Sequence, residues 1–416
     1  SGKATFRELD PLKLRHSSRS SMGIDFADIN RDGLDDFIVV DMFSADHARR
    51  MTQLVKQHSS LESVQKVDAR PRYNRNTLFL GRPDGSFVET ALMAGVAATE
   101  WSWGPVFLDV DLDGYEDLLV TNGFSFDVMD QDSHDKLRAM KLSKEQRQRS
   151  RQFHPPLPTG NVAFRNNGDG TFESQGAAWG FDQKGISYGM ALGDLDNDGD
   201  LDVVINQLNE EALMLQNLTS APRVKVVLEG VPPNTRGVGA RIRLVIGNLI
   251  QSQTIDAGGR YLSSDETVRV FAFPDGGERS AHLEVSWPDG RRTEILSVQP
   301  NRMYRIRQAT EAVVGSESSV RPTPLFLNAS SMLSPAYRDS VPAVGIPEGG
   351  PDRDEVTGAG ISWFDMNRDG WEDLWIAAGS NQHPAAFLNK EGTGLQPIPS
   401  VPSFPDSLGA TVGWNN

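Results

Sequence analysis

The chain has 416 residues, a formal net charge of −15 and no cysteine. Such a length calls for several domains or a repeat array, and the missing cysteines exclude disulfides and thiolate-ligated zinc. The acidity argues against nucleic acid as the main partner, and no apolar run reaches the 18 or more residues that would span a membrane.

Residues 1–20 are polar and read as an edge strand and a loop. Ser21-Met-Gly23 follows, five residues before a nine-residue loop with Asp28, Asn30, Asp32 and Asp36 at positions 1, 3, 5 and 9 and Gly33 at position 6. The chain then leaves as Phe37-Ile-Val-Val40, an apolar run of strand length. An amphipathic helix is expected in an insertion near 46–70, from Met51, Leu54, Val55, His58 and Leu61 at helical spacing. Asn76–Gly81 and the turn at Asp84-Gly85 supply a hairpin.

The same unit is written again as Ser102-Trp-Gly104, then Asp109, Asp111, Asp113 and Asp117 around Gly114, then Leu118-Leu-Val120. A second insertion, near 126–152, carries seven Lys or Arg between His134 and Gln152 against one Asp and one Glu. It reads as a solvated helix face, with a docking patch for an acidic partner as the alternative. Asn161–Asn166 and Gly168-Asp-Gly170 form the next hairpin. The third copy is Ser187-Tyr-Gly189, then Asp194, Asp196, Asp198 and Asp202 around Gly199, then Val203-Val-Ile205. The fourth is Gly358-Ala-Gly360, then Asp365, Asn367, Asp369 and Asp373 around Gly370, then Leu374-Trp-Ile376.

A loop of this kind can turn its odd-numbered oxygens onto one hard cation. The position-7 carbonyl, from Leu34, Tyr115, Asp200 or Trp371, is a further ligand. Ca2+ takes six to eight oxygens, which the loop can mostly supply. Without a cation, two carboxylates about 4 Å apart repel by roughly 4 kcal/mol at an effective dielectric near 20. The expectation is about four Ca2+ sites, with Asn at position 3 weakening the first and fourth. The pattern is not an EF-hand, because position 12 is Val39, Val120, Ile205 or Ile376 where that motif needs Glu. Weak calcium loops suit millimolar calcium, hence a secreted, periplasmic or cell-surface location. Four short strands joined by turns make one propeller blade.

Residues 222–310 break the repeat. Val224–Leu228, Ala240–Ile246, Val268–Phe273, His282–Trp287 and Met303–Ile306 read as strands of a compact all-β sandwich or small barrel. The expected organisation is blades 1–3 over 1–221, the β-domain over 222–310, a loose linker over 311–324 and further blades over 325–416. The last stretch, Gly409–Asn416, matches the beginning of another repeat, so the chain reads as a piece of a longer one.

The four loops resemble the FG-GAP or VCBS repeats of integrin-type propellers. Residues 222–310 resemble the ASPIC/UnbV domain, through Asn234-Thr-Arg-Gly-Val-Gly-Ala-Arg-Ile242, Gly258-Gly-Arg-Tyr261, Ser263-Ser264 and Trp287-Pro-Asp-Gly290. The combination resembles bacterial VCBS-repeat proteins related to the cartilage acidic protein family. It implies an all-β fold: calcium-loop propeller blades with an inserted ASPIC/UnbV domain and two short helical insertions. It also implies calcium at the loop positions named above and a secreted or surface-attached protein. The stretch Val270-Phe-Ala-Phe-Pro274 departs from the His-Phe-Gly-Leu-Gly-like segment usual in that domain.

Gly185-Ile-Ser187-Tyr-Gly189 matches a nucleophile elbow, but Ser187 aligns with Ser21 and Ser102 and belongs to the repeat. No His-Glu-x-x-His, P-loop or dinucleotide fingerprint occurs. Three functions stay open: a calcium-stabilised binding or adhesion module for an extracellular glycan or protein, a carbohydrate-active enzyme on a propeller scaffold, and a structural surface scaffold. Trp101, Trp103 and Trp179 are candidate aromatic platforms, with blade packing as the alternative. Asn217-Leu-Thr219 and Asn328-Ala-Ser330 match the glycosylation acceptor pattern.

Overall fold

The computed structural model describes residues 10–53, 70–140, 142–143, 146, 150–274, 281–308, 313–316, 326–328, 330, 360–367, 369, 371–376, 385–391 and 393–398. Leu54, Val55, His58, Leu61, Gly358, Gly370 and the stretch Gly409–Asn416 lie outside the described residues, as does much of the basic run before Gln152.

Among the described residues, six sheets of four or five strands carry the structure. Four of them are blades. Their first strands, Ile24–Ala27, Glu100–Leu108, Ser187–Gly193 and Ile361–Phe364, each pair antiparallel with the strand that follows the acidic loop. Each loop is therefore the turn between the first two strands of a blade. The apolar runs after the loops are buried on both faces, and this is why they do not alternate. Leu118 and Val120 pack toward blade 1 with Ile38 and Leu78, while Leu119 packs toward blade 3 with Met190 and Ile205. Val204 and Met214 in turn meet Trp363, Leu374 and Ile376 of blade 4.

The third blade holds a surprise of connectivity. Its fourth strand is Phe326–Asn328, which pairs with Leu213–Asn217. The β-domain is thus inserted inside blade 3, and Phe326–Asn328 closes that blade instead of opening the next. The remaining two sheets form this inserted domain. Their strands enclose one core of Val224, Val226, Ile242, Leu244, Phe271, Leu283 and Tyr304. One sheet includes the parallel pair Arg223–Glu229 and Arg302–Arg307, a pairing that an up-and-down blade lacks. Val313–Ser316, expected in a loose linker, adds an edge strand to this sheet.

The sandwich sits on the acidic-loop end of the blades. Val268, Val270 and Ala272 turn away from its own core and pack with Val106, Leu108, Leu192 and Leu201 of blades 2 and 3. Its segment 256–266 reaches into the space between the blades' first strands. Tyr261 lies 5.3 Å from Trp103 by ring centroids. Leu192 N donates to Asp265 Oδ1 (2.9 Å), Glu266 N to the Leu192 carbonyl (2.9 Å) and Ser264 N to the Ile361 carbonyl (2.9 Å). Gly360 is required here: a Cβ on it would lie 1.7 Å from the Leu262 carbonyl oxygen.

Among the described residues, both insertions hold a short helix, as expected. His47–Thr52 is capped by Asp46, which accepts from Arg49 N, and Gln131–Ala139 is capped by Asp130. Arg49 ties the two insertions together through Asp127 and also pairs with Glu100. Met51, expected on the apolar face of the first helix, is 72% exposed. Trp101, Trp103 and Trp179 are buried in blade packing and offer no exposed platform. Among the described residues, no helix is long and apolar enough to cross a membrane.

Candidate metal centres

Each acidic loop is shaped by its own side chains. In the third loop, Asp194 Oδ1 accepts Asp198 N (3.1 Å) and Asp194 Oδ2 accepts Gly199 N (3.0 Å). Asp198 Oδ1 accepts Asp200 N (3.2 Å). The second loop repeats this, with Asp109 on Asp113 N (3.0 Å) and Gly114 N (2.9 Å), and Asp113 on Tyr115 N (3.0 Å). In the first, Asp28 Oδ2 takes Gly33 N (3.0 Å) and Asp32 Oδ1 takes Leu34 N (2.9 Å). In the fourth, Asp365 Oδ1 takes Asp369 N (3.1 Å) and Asp369 Oδ1 takes Trp371 N (2.9 Å). The turn needs left-handed backbone at two places. Gly199 supplies one (φ 92°), and position 4 supplies the other through Arg31 (φ 62°), Leu112 (φ 54°) and Asn197 (φ 55°).

The position-9 aspartate anchors the loop to the rest of its blade. One oxygen accepts the position-2 N–H, from Ile29, Val110, Leu195 or Met366. The other accepts from the end of the third strand, at Gly81, Asn166, Asn217 or Asn389. The three asparagines do more. Asn166 Nδ2 donates to the Ile29 carbonyl (2.9 Å) and Asn217 Nδ2 to the Val110 carbonyl (3.1 Å), each in the preceding blade's loop. Asn389 Nδ2 reaches the Leu195 carbonyl in the same way (3.4 Å). Asn217 is therefore a buried staple between blades and cannot present itself for glycosylation.

Two loops converge their carboxylates most tightly. Asp109, Asp111 and Asp117 each bring an oxygen within 4.8 Å of the others, and so do Asp194, Asp196 and Asp202. The donors Asn30 and Asn367 take the place of the second carboxylate in loops 1 and 4. Asp113 and Asp198 are turned partly outward, toward Arg165 and Arg223 respectively.

Burial, followed by the neighbouring carboxylates, raises most of these groups. Asp109, Asp117, Asp200 and Asp202 stand well above the ordinary aspartate value. Asp36 is pushed to about 7, where backbone donors from Gly81 and Ile29 only partly offset burial, and Asp196 to about 6. Acids so placed either hold protons or take a cation. The donor set fits a hard divalent ion. All candidates are oxygens, and Asp28 Oδ1, Asp111 Oδ1 and Asp200 Oδ1 are buried without a hydrogen-bond donor.

A cavity of about 440 Å³ lies between blades 1–3 and the sandwich, lined by Asp25, Asp109, Asp256, Arg260, Glu266 and Arg269 among others. Arg260 is engaged at both ends: Nη1 with Asp25 (2.5 Å), Nη2 and Nε with Asp265 (2.6 and 2.7 Å). Ser187 is buried in its strand, where Gln207 Nε2 donates to its Oγ (3.1 Å).

Blades with an acidic loop between their first two strands define a repeat-propeller protein. The FG-GAP-like repeat family matches residues 69–120 and 157–205, and the ASPIC and UnbV family matches 230–313. The chain thus carries FG-GAP-like repeats and an ASPIC/UnbV domain on a mostly β, propeller-type fold. It is similar to "Cartilage acidic protein 1" from Homo sapiens, at 26% identity over 272 residues covering 56% of this chain and 40% of the relative. The Mus musculus protein of that name is equally similar, with 41% of its length covered. The match spans well under half the length of either relative.

Proposed function

We propose that the protein is a calcium-stabilised binding or adhesion module, working at the cell surface or outside the cell on a glycan or protein partner. The observation that carries the calcium part is the convergence of three carboxylates in each of two loops, with orphaned oxygens beside them. Bound Ca2+ supplies positive charge and a fixed coordination geometry. The chain's own residues do the rest. Asp109, Asp111 and Asp117 would hold one ion and Asp194, Asp196 and Asp202 a second; the asparagine staples pass the loop geometry on to the next blade. The equivalent positions of loops 1 and 4 complete a set of four sites. Calcium here is structural, and partners are met by other surfaces.

The similarity to a relative named Cartilage acidic protein 1 supports the extracellular part of this reading, since cartilage is largely extracellular matrix. Terbium luminescence tests the metal part directly. Tyr115 and Trp371 occupy position 7 of loops 2 and 4 and can sensitise Tb3+ bound there. Emission that appears on Tb3+ addition and is displaced by Ca2+ is the expected result. Emission that Ca2+ does not displace, or none at all, would contradict it. Binding to immobilised glycans and matrix proteins, with calcium and with chelator, tests the adhesion part; no retained partner under either condition would count against it.

A further inference from the structure

The first strand of the sandwich, Arg223–Glu229, is built with two buried faces. Val224, Val226 and Leu228 enter the sandwich core, while Val227 packs toward the propeller. On that propeller side the strand also carries Arg223 and Lys225. Lys225 Nζ lies 2.5 Å from Asp194 Oδ2 and 3.2 Å from Asn197 Oδ1. Arg223 Nη2 lies 2.6 Å from the Asp198 carbonyl, 3.1 Å from Asp198 Oδ1 and 3.4 Å from Asp200 Oδ2. Each of the two side chains is only 6% exposed. Glu266, from the same domain, accepts Asp194 N (3.0 Å).

We propose that Lys225 and Arg223 lower the calcium affinity of the third loop and link its occupancy to the seating of the ASPIC/UnbV domain. The inference rests on the calcium reading of the loops. By sequence the third loop is the strongest candidate, with aspartate at positions 1, 3, 5, 7 and 9. The fold places two permanent positive charges against it. Asp194 Oδ2 is the oxygen that also accepts Gly199 N, so Lys225 stands behind the position-1 ligand and leaves Oδ1 to the loop interior. A divalent ion then binds in the field of an ammonium held a few ångströms away. That repulsion persists in the buried site, where screening is weak. Arg165, which pairs with Asp111 and Asp113 in the second loop, is a different case: its side chain is 35% exposed and is free to swing into solvent. Lys225 and Arg223 are hemmed in between two packed domains and have no such exit.

Linkage makes the effect reciprocal. If the docked sandwich weakens calcium at loop 3, calcium at loop 3 weakens the contact of this strand with the propeller by the same factor.

The test is calorimetric calcium titration of the full, chelator-stripped chain and of Lys225→Met, Arg223→Gln and Lys225→Arg. Loop 3 is expected to bind calcium at least about tenfold more weakly in the parent than without the Lys225 charge, equivalent to 1.4 kcal/mol. Lys225→Met should tighten that site at least about tenfold and leave the others unchanged. Arg223→Gln should act with the same sign, and Lys225→Arg, which keeps the charge, should remain weak. Adding Asp196→Ala to Lys225→Met should remove the tightened site, which assigns it to loop 3. Circular dichroism confirms that each variant is folded, and Arg223→Gln carries the test should Lys225→Met fail to fold. Sites that bind calcium with affinities indifferent to both substitutions overturn the inference while leaving the calcium reading intact. No calcium binding to any loop overturns the calcium reading itself, and this inference with it.

Discussion

Replacing Arg260 with methionine probes the joint between the propeller and the inserted domain. Arg260 bridges Asp25, on the first strand of blade 1, and Asp265, in the segment that enters the space between the blades. Asp25 Oδ2 in turn accepts Phe107 N of blade 2 (2.7 Å), and Asp265 Oδ1 accepts Leu192 N of blade 3 (2.9 Å). One guanidinium thus closes a network through three blades. Methionine keeps most of the apolar stem and removes only the charge, leaving two buried carboxylates facing each other. Breaking a buried pair in this way costs about 3–5 kcal/mol. The cost also depends on pH. Burial raises Asp25 above its ordinary value of 3.8, and Arg260 is the chief influence holding it down. Without Arg260 the folded-state value climbs further. A raised carboxylate contributes stability that is present below its unfolded value and lost as pH rises through the folded one. The variant's deficit should therefore be small near pH 4 and grow toward pH 7. Urea denaturation of both proteins at a series of pH values, in calcium throughout, measures it. A deficit below 1 kcal/mol at pH 7, or one of equal size at both ends of the series, would refute the reasoning.

Asn166→Ala removes a buried amide that serves two carbonyls, Ile29 of blade 1 and Glu116 of its own blade. It should cost about 1–3 kcal/mol, the usual penalty for stranding buried polar groups; an unchanged urea midpoint would show that the staple carries no weight. Ile205→Ala opens a cavity in the interface of blades 2 and 3, where Ile205 is fully buried. A loss of about 2–5 kcal/mol is expected from calorimetry or urea titration. Arg75→Met should remove a component of stability at neutral pH: burial raises Glu89, but the bidentate pair with Arg75 and the Ala91 N–H bring it below its ordinary value. That contribution is present at neutral pH and lost as pH falls through the lowered value, so the variant and the parent should converge in acid and separate at pH 7.

The repeat was legible because local geometry wrote it. Positions 1, 3, 5 and 9, the glycine at 6 and the following apolar run all answer constraints that act within a dozen residues. Other features answer distant partners and left weaker marks. Asn166, Asn217 and Asn389 recur at strand ends, a signal visible in the sequence, yet their task is set by a carbonyl in the blade before. The left-handed residue at position 4 varies among Arg31, Leu112 and Asn197, so no residue type announces it. The closure of blade 3 by Phe326–Asn328 spans the whole inserted domain, and strand pairing over that distance has no local signature. Lys225 looked like one polar residue in an apolar strand. Only the packing of that strand against two domains gives it a partner in Asp194. In the first insertion the described part holds the short helix His47–Thr52, with Met51 facing solvent, and the other residues that suggested the amphipathic face, Leu54, Val55, His58 and Leu61, lie outside the described residues.

Calcium titration by calorimetry on chelator-stripped protein, paired with thermal melts, bears most directly on the central claim. About four sites in total and a clear rise in melting temperature on calcium addition are predicted, because buried carboxylates such as Asp36 and Asp196 are left short of positive charge without the ion. Binding heat absent at millimolar calcium, with melting curves that coincide in calcium and chelator, would contradict the assignment of these loops as metal centres.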